Sequence, residues 1–220
     1  MLTYFDAHCH FLSASTFVPN NVGAINNSTQ LSDWKSVINS VQENPNVYGA
    51  IGVHPWYVSD LSMNWDTQLY EMLVRYSNLT VGEIGLDVKR PDMDTQIKIF
   101  VRQLELANML KRGVHIHCVG AWDIMKKILK SHKVISLPFV LFHRFNGAIS
   151  DWAEMQNVYF SYSPTNNFRR ILLTLQNRLL LETDSDNISD IIAWADKVET
   201  ECNISKEVFV NNALRMLNNG

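Results

Sequence analysis

The segment Thr80–His117 reads TVGEIGLDVKRPDMDTQIKIFVRQLELANMLKRGVHIH and contains two β-rich runs on either side of a helical stretch. The runs Thr80–Ile84 and Val114–His117 are largely apolar, as in strands that are covered on both faces of a sheet. Between them, the apolar residues of Met93–Arg112 recur every three or four positions. This spacing predicts a helix, whose start Asp92 or Asp94 would cap. Strand, helix and strand in this order favour a βαβ unit with parallel strands.

The same alternation extends over the rest of the chain. The other predicted strands are Thr3–Ala7, Val22–Ile25, Val47–Val53, Phe139–Phe142, Val158–Ser161 and Leu179–Leu181, and further helical stretches are Trp122–His132, Ile188–Glu199 and Lys206–Asn218. Eight strands alternating with helices predict an α/β fold, a (β/α)8 TIM-like barrel, as a single domain over residues 1–220. Such barrels typically need about 250 residues, so this one is slightly trimmed. Phe11–Asn21 shows no helical period, and we expect the first barrel helix to be missing or shortened.

The bulk properties exclude some classes of protein. No apolar run approaches the roughly 20 residues needed to span a membrane, and the N-terminus lacks the pattern of a secretory signal. The three cysteines are too few for a disulfide framework, so we expect a cytoplasmic protein with reduced thiols. A net charge of −3 argues against a broad basic face for nucleic acid, although bound cations would still allow a phosphate-containing substrate. A monomer is expected.

Residues that commonly bind metals stand at the ends of several predicted strands. His8 and His10 are two positions apart, so their side chains point to the same side of a strand, and Cys9 points to the other side. Glu83 lies in an apolar strand between two glycines. A carboxylate is costly to bury there unless a cation or hydrogen bonds compensate.

The fifth, sixth and eighth strands end in the same way. His117, His143 and Asp184 each follow apolar strand residues, and the C-terminal strand ends of a barrel form one ring. The sequence therefore predicts a divalent-metal site built from His8, His10, Glu83, His117, His143 and Asp184. Imidazole and carboxylate ligands together suit Zn²⁺ or Mn²⁺, whereas Mg²⁺ prefers oxygen, so Mg, Mn and Zn stay open. His115, deeper in its strand, is as well explained as a core histidine.

With these residues, the chain resembles almost end to end the TatD family of metal-dependent deoxyribonucleases, which are amidohydrolase-like barrels. The matching segments include DAHCH (Asp6–His10), PNVYGAIGVHP (Pro45–Pro55), VGEIGLD (Val81–Asp87), QLELA (Gln103–Ala107), HC at His117, FHRFNG (Phe142–Gly147), ETDS (Glu182–Ser185) and NNALRML (Asn211–Leu217). The resemblance implies two divalent metal ions. His8, His10 and Asp184 would bind one ion, His117 and His143 would bind the other, and Glu83 would bridge both.

The resemblance also implies an activity, which is hydrolysis of the phosphodiester bonds of DNA by a metal-activated water. Asp184 would be the general base, and Glu83 would share the catalytic role as the bridging ligand. We interpret His54, at the end of the third strand, as a contact to the substrate phosphate or as a residue that supports a metal ligand, and Arg144, next to His143, as a further contact to that phosphate. The expected partner is a phosphate-containing substrate, for which single-stranded DNA is the candidate.

Two other functions stay open. Val119 stands where the family usually has arginine, which leaves room for a hydrolase of another ester or of an amide bond on the same metal site. A catalytically silent metal-binding protein is the alternative from a different class. Against it, the full set of six ligands has no chemical purpose in a silent protein.

Overall fold

The computed structural model describes residues 1–11, 16–165 and 168–218. Eight parallel strands form one sheet in the order of the sequence. They are β1 (Tyr4–Cys9), β2 (Val22–Asn27), β3 (Val47–Ile51), β4 (Thr80–Asp87), β5 (Val114–Val119), β6 (Val140–Phe142), β7 (Val158–Tyr162) and β8 (Leu179–Leu181). Just after β8, the Asp184 N–H donates to the carbonyl of His8 in β1 at 2.9 Å. The sheet is therefore a nearly closed barrel, which confirms the predicted fold.

Within the described residues, seven α-helices accompany the strands. They are α1 (Trp34–Glu43), α2 (Trp65–Arg75), α3 (Met93–Leu110), α4 (Trp122–Ser131), α5 (Phe168–Leu173), α6 (Asp190–Cys202) and α7 (Lys206–Asn218). The Asp92 carboxylate caps α3 by accepting from the Thr95 N–H at 3.2 Å, so the predicted cap is confirmed. Helix α6 begins and ends later than the predicted Ile188–Glu199. Within the described chain, no helix has the length and apolar character needed to cross a bilayer.

The barrel is trimmed at two connections. The residues described between β1 and β2, which are 10–11 and 16–21, contain no helix, as expected. Residues 12–15 of the predicted loop lie outside the described residues. Between β6 and β7 the chain forms a short 3₁₀ helix, Ile149–Trp152, in place of an α-helix. These two shortened connections help a chain of 220 residues to form all eight strands.

Inward-facing side chains fill the barrel below its C-terminal mouth. Neighbouring strands pair His115 with Leu141 and Leu141 with Tyr159, so these residues share one face of the sheet. A buried apolar cluster contains Leu141 and Tyr159 together with Val210, Ala213 and Met216 of α7. Helix α7 thus packs against the lower barrel, and the polar residues at the strand ends lie above an apolar floor.

Two strands depart from regular pairing. The register shifts in β1 between Asp6 and Cys9, and in β4 between Val81 and Ile84. Such irregularities re-aim single side chains and are common beside active sites. Here each shift encloses a candidate metal ligand, His8 in β1 and Glu83 in β4. Cys9 packs on the other side of β1, as predicted, and its thiol donates to the Ile25 carbonyl at 3.3 Å.

Asp6 fastens β1 to the segment after β8. Its fully buried carboxylate accepts from the Thr183 hydroxyl at 2.6 Å and from the Thr183 N–H at 3.0 Å. Burial raises the pKa of Asp6 to about 7, although the hydrogen bonds from Thr183 oppose the shift. This contact closes the barrel at the end where the candidate ligands lie.

We expect Thr183→Val to lower the free energy of unfolding by about 1–3 kcal/mol, because a buried carboxylate loses a hydrogen-bond donor. Urea unfolding in EDTA measures the change without any contribution from bound metal. The matched control is Thr200→Val on the exposed side of α6, where the hydroxyl donates to the Asp196 carbonyl. If both variants lose equally little stability, the Asp6–Thr183 contact does not hold the barrel closed.

Candidate metal centre

Glu83 lies at the centre of the polar cluster at the barrel mouth. It is only 2% exposed, and its Oε1 faces three histidines from three different strand ends. The distances from this oxygen are 2.8 Å to His143 Nε2, 2.9 Å to His117 Nδ1 and 3.2 Å to His54 Nε2. These residues are far apart in sequence, and the barrel brings them together at one atom.

The other oxygen of Glu83 meets a second group. Oε2 lies 3.3 Å from both His8 Nε2 and His10 Nε2. Asp184 completes this group, since its Oδ1 is 3.3 Å from His10 Nε2 and 3.8 Å from His8 Nε2. A single carboxylate therefore joins two separate sets of nitrogen and oxygen donors.

The donor atoms fit cations better than they fit one another. The Nε2 atoms of His8 and His10 face each other at 3.0 Å, and so do His117 Nδ1 and His143 Nε2. A neutral imidazole has one N–H and one lone pair, so facing nitrogens beside a carboxylate compete for few protons. Lone pairs that converge in this way suit a divalent cation. The described residues include three triads with donor atoms within 4.8 Å of one another: His8, Glu83 and His143; His8, His10 and Asp184; His54, Glu83 and His117.

The local electrostatics keep the cluster ready for a cation. Burial and the neighbouring His143 lower the pKa of His8 to about 3, so its ring is neutral at pH 7, as a metal ligand must be. Burial alone would raise the pKa of Asp184, but the hydrogen bond from His10 and the nearby imidazoles hold it well below its usual value. Burial likewise opposes ionisation of Glu83, and the surrounding imidazoles of His143, His54 and His8, with the hydrogen bond from His10, lower its pKa nevertheless. Both carboxylates are therefore charged.

His10 shows the opposite shift, and a cation that binds its Nε2 would displace the proton it carries. Burial lowers its pKa, but hydrogen bonds to Asp184 and Glu83 outweigh burial and raise the pKa to about 10. Its Nδ1 lies 2.9 Å from the Asn27 carbonyl, and this contact turns Nε2 towards the cluster. A backbone carbonyl on the far nitrogen is the usual way in which a metal-binding histidine is oriented.

The two predicted substrate contacts lie at different depths. Arg144 is half exposed at the rim, and its Nη1 donates to Asp184 Oδ2 at 2.9 Å. His54 is buried and is as close to Glu83 as His8 and His10 are. The contact of both residues with a substrate stays a prediction, and the position of His54 adds it to the candidate ligands. His115 belongs to none of the three triads, and its Nε2 pairs with the Thr80 hydroxyl at 3.1 Å, which favours the core-histidine interpretation.

Sequence reasoning missed two residues beside the cluster. Glu182 is fully buried and accepts from the Ser161 hydroxyl and from the Arg144 N–H, at 2.6 Å for the latter, so it holds the backbone that carries Arg144. Trp56 borders a cavity of about 320 Å³ at the mouth of the barrel. The only sequence signal for Trp56 is its place directly after His54-Pro55.

Comparisons with known proteins agree with this geometry. A family model described as TatD related DNase matches residues 5–206. The protein tatdn3 of Danio rerio is 27% identical, over 97% of this chain and 96% of its own length. The 3'-5' ssDNA/RNA exonuclease TatD of Erwinia billingiae is 29% identical, over 63% of this chain and 57% of its own length.

The fold has a close counterpart among solved structures. The crystal structure of YjjV, a TatD homologue from Escherichia coli K12, superposes with a TM-score of 0.80 and covers 98% of both chains at 21% identity. At this identity the likeness concerns the fold alone. The family match over most of the sequence, together with the cluster of histidines and carboxylates at the barrel mouth, shows that the chain belongs to the TatD-related DNase family of metal-dependent hydrolases.

Proposed function

We propose that the chain hydrolyses phosphodiester bonds of single-stranded DNA and that its cluster holds two divalent cations. The observation that supports this most is the position of Glu83, whose two oxygens each meet a different set of histidine nitrogens. His8, His10 and Asp184 would hold one ion, and His117 and His143 the other, with Glu83 between them. When bound, the ions would lower the pKa of a water molecule towards neutrality and neutralise charge that develops on the phosphate.

Asp184 is the proposed general base. Its ionised carboxylate can accept a proton, and its two oxygens have different neighbours, His10 at Oδ1 and Arg144 at Oδ2. Arg144 at the rim can donate to a phosphate oxygen, because the planar guanidinium fork matches that geometry. His54 is proposed either as a further ligand beside Glu83 or as a donor to the substrate.

The substrate class rests on the family and on the relative from Erwinia billingiae, which is named a 3'-5' ssDNA/RNA exonuclease. A phosphodiester also suits a site with two cations, since both the attacking and the leaving oxygen need their charge stabilised. Hydrolysis of another ester or of an amide bond is the alternative outcome of the test below. The monomeric state and the cytoplasmic location stay predictions from the sequence.

The test compares the wild-type protein with Asp184→Asn in Mg²⁺, Mn²⁺ or Zn²⁺ on single-stranded DNA and on a panel of phosphoesters, esters and amides. We expect the wild type to release nucleotides and kcat to fall about 10²- to 10⁴-fold in the variant, as for loss of a general base. Turnover of non-phosphate substrates alone would reject the nuclease assignment. If both proteins are inactive on every substrate with every metal, the proposal that the chain is an enzyme is rejected.

A further inference from the structure

An exposed tryptophan lies one side chain away from the metal cluster. Trp56 is 48% exposed and belongs to the 3₁₀ helix Pro55–Asp60, which follows His54. The centroids of the Trp56 and His54 rings are 5.1 Å apart, and His54 contacts Glu83. A large aromatic surface is therefore open to solvent beside the site where the reacting phosphate is proposed to bind.

Three contacts hold this tryptophan in place. Its indole Nε1–H donates to Asp87 Oδ2 at 2.8 Å, and its backbone N–H donates to His54 Nδ1 at 3.1 Å. The guanidinium of Arg90 lies over one face of the ring, 4.2 Å from its centroid. A ring that is already ordered loses little conformational entropy when a ligand packs against it.

Asp87 also shapes the cationic turn beside the tryptophan. Its Oδ1 accepts from the Lys89 N–H at 2.8 Å, and its carbonyl accepts from the Arg90 N–H at 3.1 Å. Lys89 and Arg144 border the same cavity of about 320 Å³ as Trp56. Three cations thus gather around one exposed aromatic ring in a chain whose net charge is −3. Cations that track phosphates and a ring that stacks bases are the two elements of sites for single-stranded nucleic acid.

We propose that Trp56 is a stacking platform for one base of a single-stranded nucleic acid whose neighbouring phosphate lies in the metal cluster. The base stacks on the exposed surface of the ring, and Lys89 contacts the adjoining backbone. The inference rests on the proposed function, for which it defines a subsite. Every base has a π-face, so the platform accepts all bases and selects unpaired strands over duplexes, in which the base faces are covered.

The experiment measures binding in Mn²⁺, so that the cluster is occupied, and both probes carry phosphorothioate linkages that slow hydrolysis. Fluorescence anisotropy compares end-labelled hexathymidylate with an abasic tetrahydrofuran hexamer that carries the same phosphates. We expect the wild type to bind hexathymidylate more tightly. Trp56→Ala should weaken its binding roughly 5- to 150-fold and should change binding of the abasic hexamer little.

Two variants separate stacking from other effects. Trp56→Phe keeps an aromatic face but loses the indole donor to Asp87, and we expect it to retain most of the preference for bases. Tyr70→Ala removes another exposed aromatic, 39% exposed on α2 and away from the cavity, and should leave both affinities unchanged. If Trp56→Phe and Trp56→Ala lose the preference equally, the hydrogen bond to Asp87 and not stacking carries the effect, and the proposal is overturned.

The platform and the nuclease activity can fail independently. A wild type that hydrolyses DNA but does not distinguish hexathymidylate from the abasic hexamer keeps the proposed function and overturns the platform. A wild type whose preference for bases depends on Trp56, yet which hydrolyses no phosphodiester with any metal, supports the platform and rejects the nuclease.

Discussion

Replacement of Glu83 by glutamine is expected to lower both the metal content and the hydrolytic rate by more than about 100-fold. Changes to groups that only support metal ligands already cost about 10- to 100-fold in affinity or activity. Glu83 stands between both proposed ions, so one substitution removes a charged ligand from each. Glutamine keeps the size of the side chain but replaces one oxygen by an NH₂ group, which cannot bind a cation.

Metal analysis after gel filtration, together with single-stranded DNA hydrolysis, measures this loss. The matched control is Asp87→Asn, which neutralises a buried carboxylate at the end of the same strand. Asp87 lies 3.5 Å from His117 Nε2 but belongs to none of the three candidate triads, so it would only support a ligand, and its loss should cost at most about 10- to 100-fold in metal affinity, less than the loss of Glu83. Equal metal loss in both variants would mean that general negative charge, not the bridging position of Glu83, retains the ions.

The metal-binding residues at the strand ends were predictable, because the C-terminal ends of all strands in a parallel barrel lie in one ring. Apolar strands followed by His143 or Asp184 identify side chains that must meet wherever the strands close into a ring. The alternation rule also placed His8 and His10 on one side of β1 and Cys9 on the other. These residues needed only sequence spacing and the expected topology.

Other features depend on contacts that no local pattern encodes. The register shift that encloses Glu83 arises from the pairing of β4 with β5, more than 30 residues further along the chain, and alternation alone does not reveal it. The sequence favours a substrate contact or a supporting role for His54, because the six other candidate ligands already suffice, and it predicts that β3 continues to Val53. Instead the strand ends at Ile51, and the His54 ring turns towards Glu83.

The exposure of Trp56 is another feature that the sequence does not reveal. A tryptophan that follows His-Pro looks in sequence like a core residue, since large aromatic side chains are usually mostly buried. Its exposure and its orientation are set by Asp87, the last residue of β4, and by Arg90 in the loop that follows β4. The structure is therefore needed to recognise it as a surface that a ligand can use.

Substitution of Gly85 by alanine is expected to destabilise the barrel by about 4 kcal/mol or more, at the upper end for single mutations. Gly85 has φ of +151° and pairs with His117 across β4 and β5. A Cβ atom there would lie 1.9 Å from the His117 carbonyl oxygen, which is backbone and can move only if the strand moves. For a chain of this size, such a loss corresponds to a melting temperature lower by about 8–16 °C.

Thermal unfolding in EDTA, followed by circular dichroism, measures this change without metal. Gly147→Ala serves as the control, because the atoms nearest to its added Cβ, at 2.9 Å or more, belong to the partly exposed Trp122 ring and the buried Phe145 ring. Side chains can shift where backbone cannot, so this control should lose less, about 1–3 kcal/mol. If Gly85→Ala has the same melting temperature as the control, β4 and β5 tolerate a wider separation than the structure has. The close approach that aligns Glu83 with His117 would then not depend on glycine.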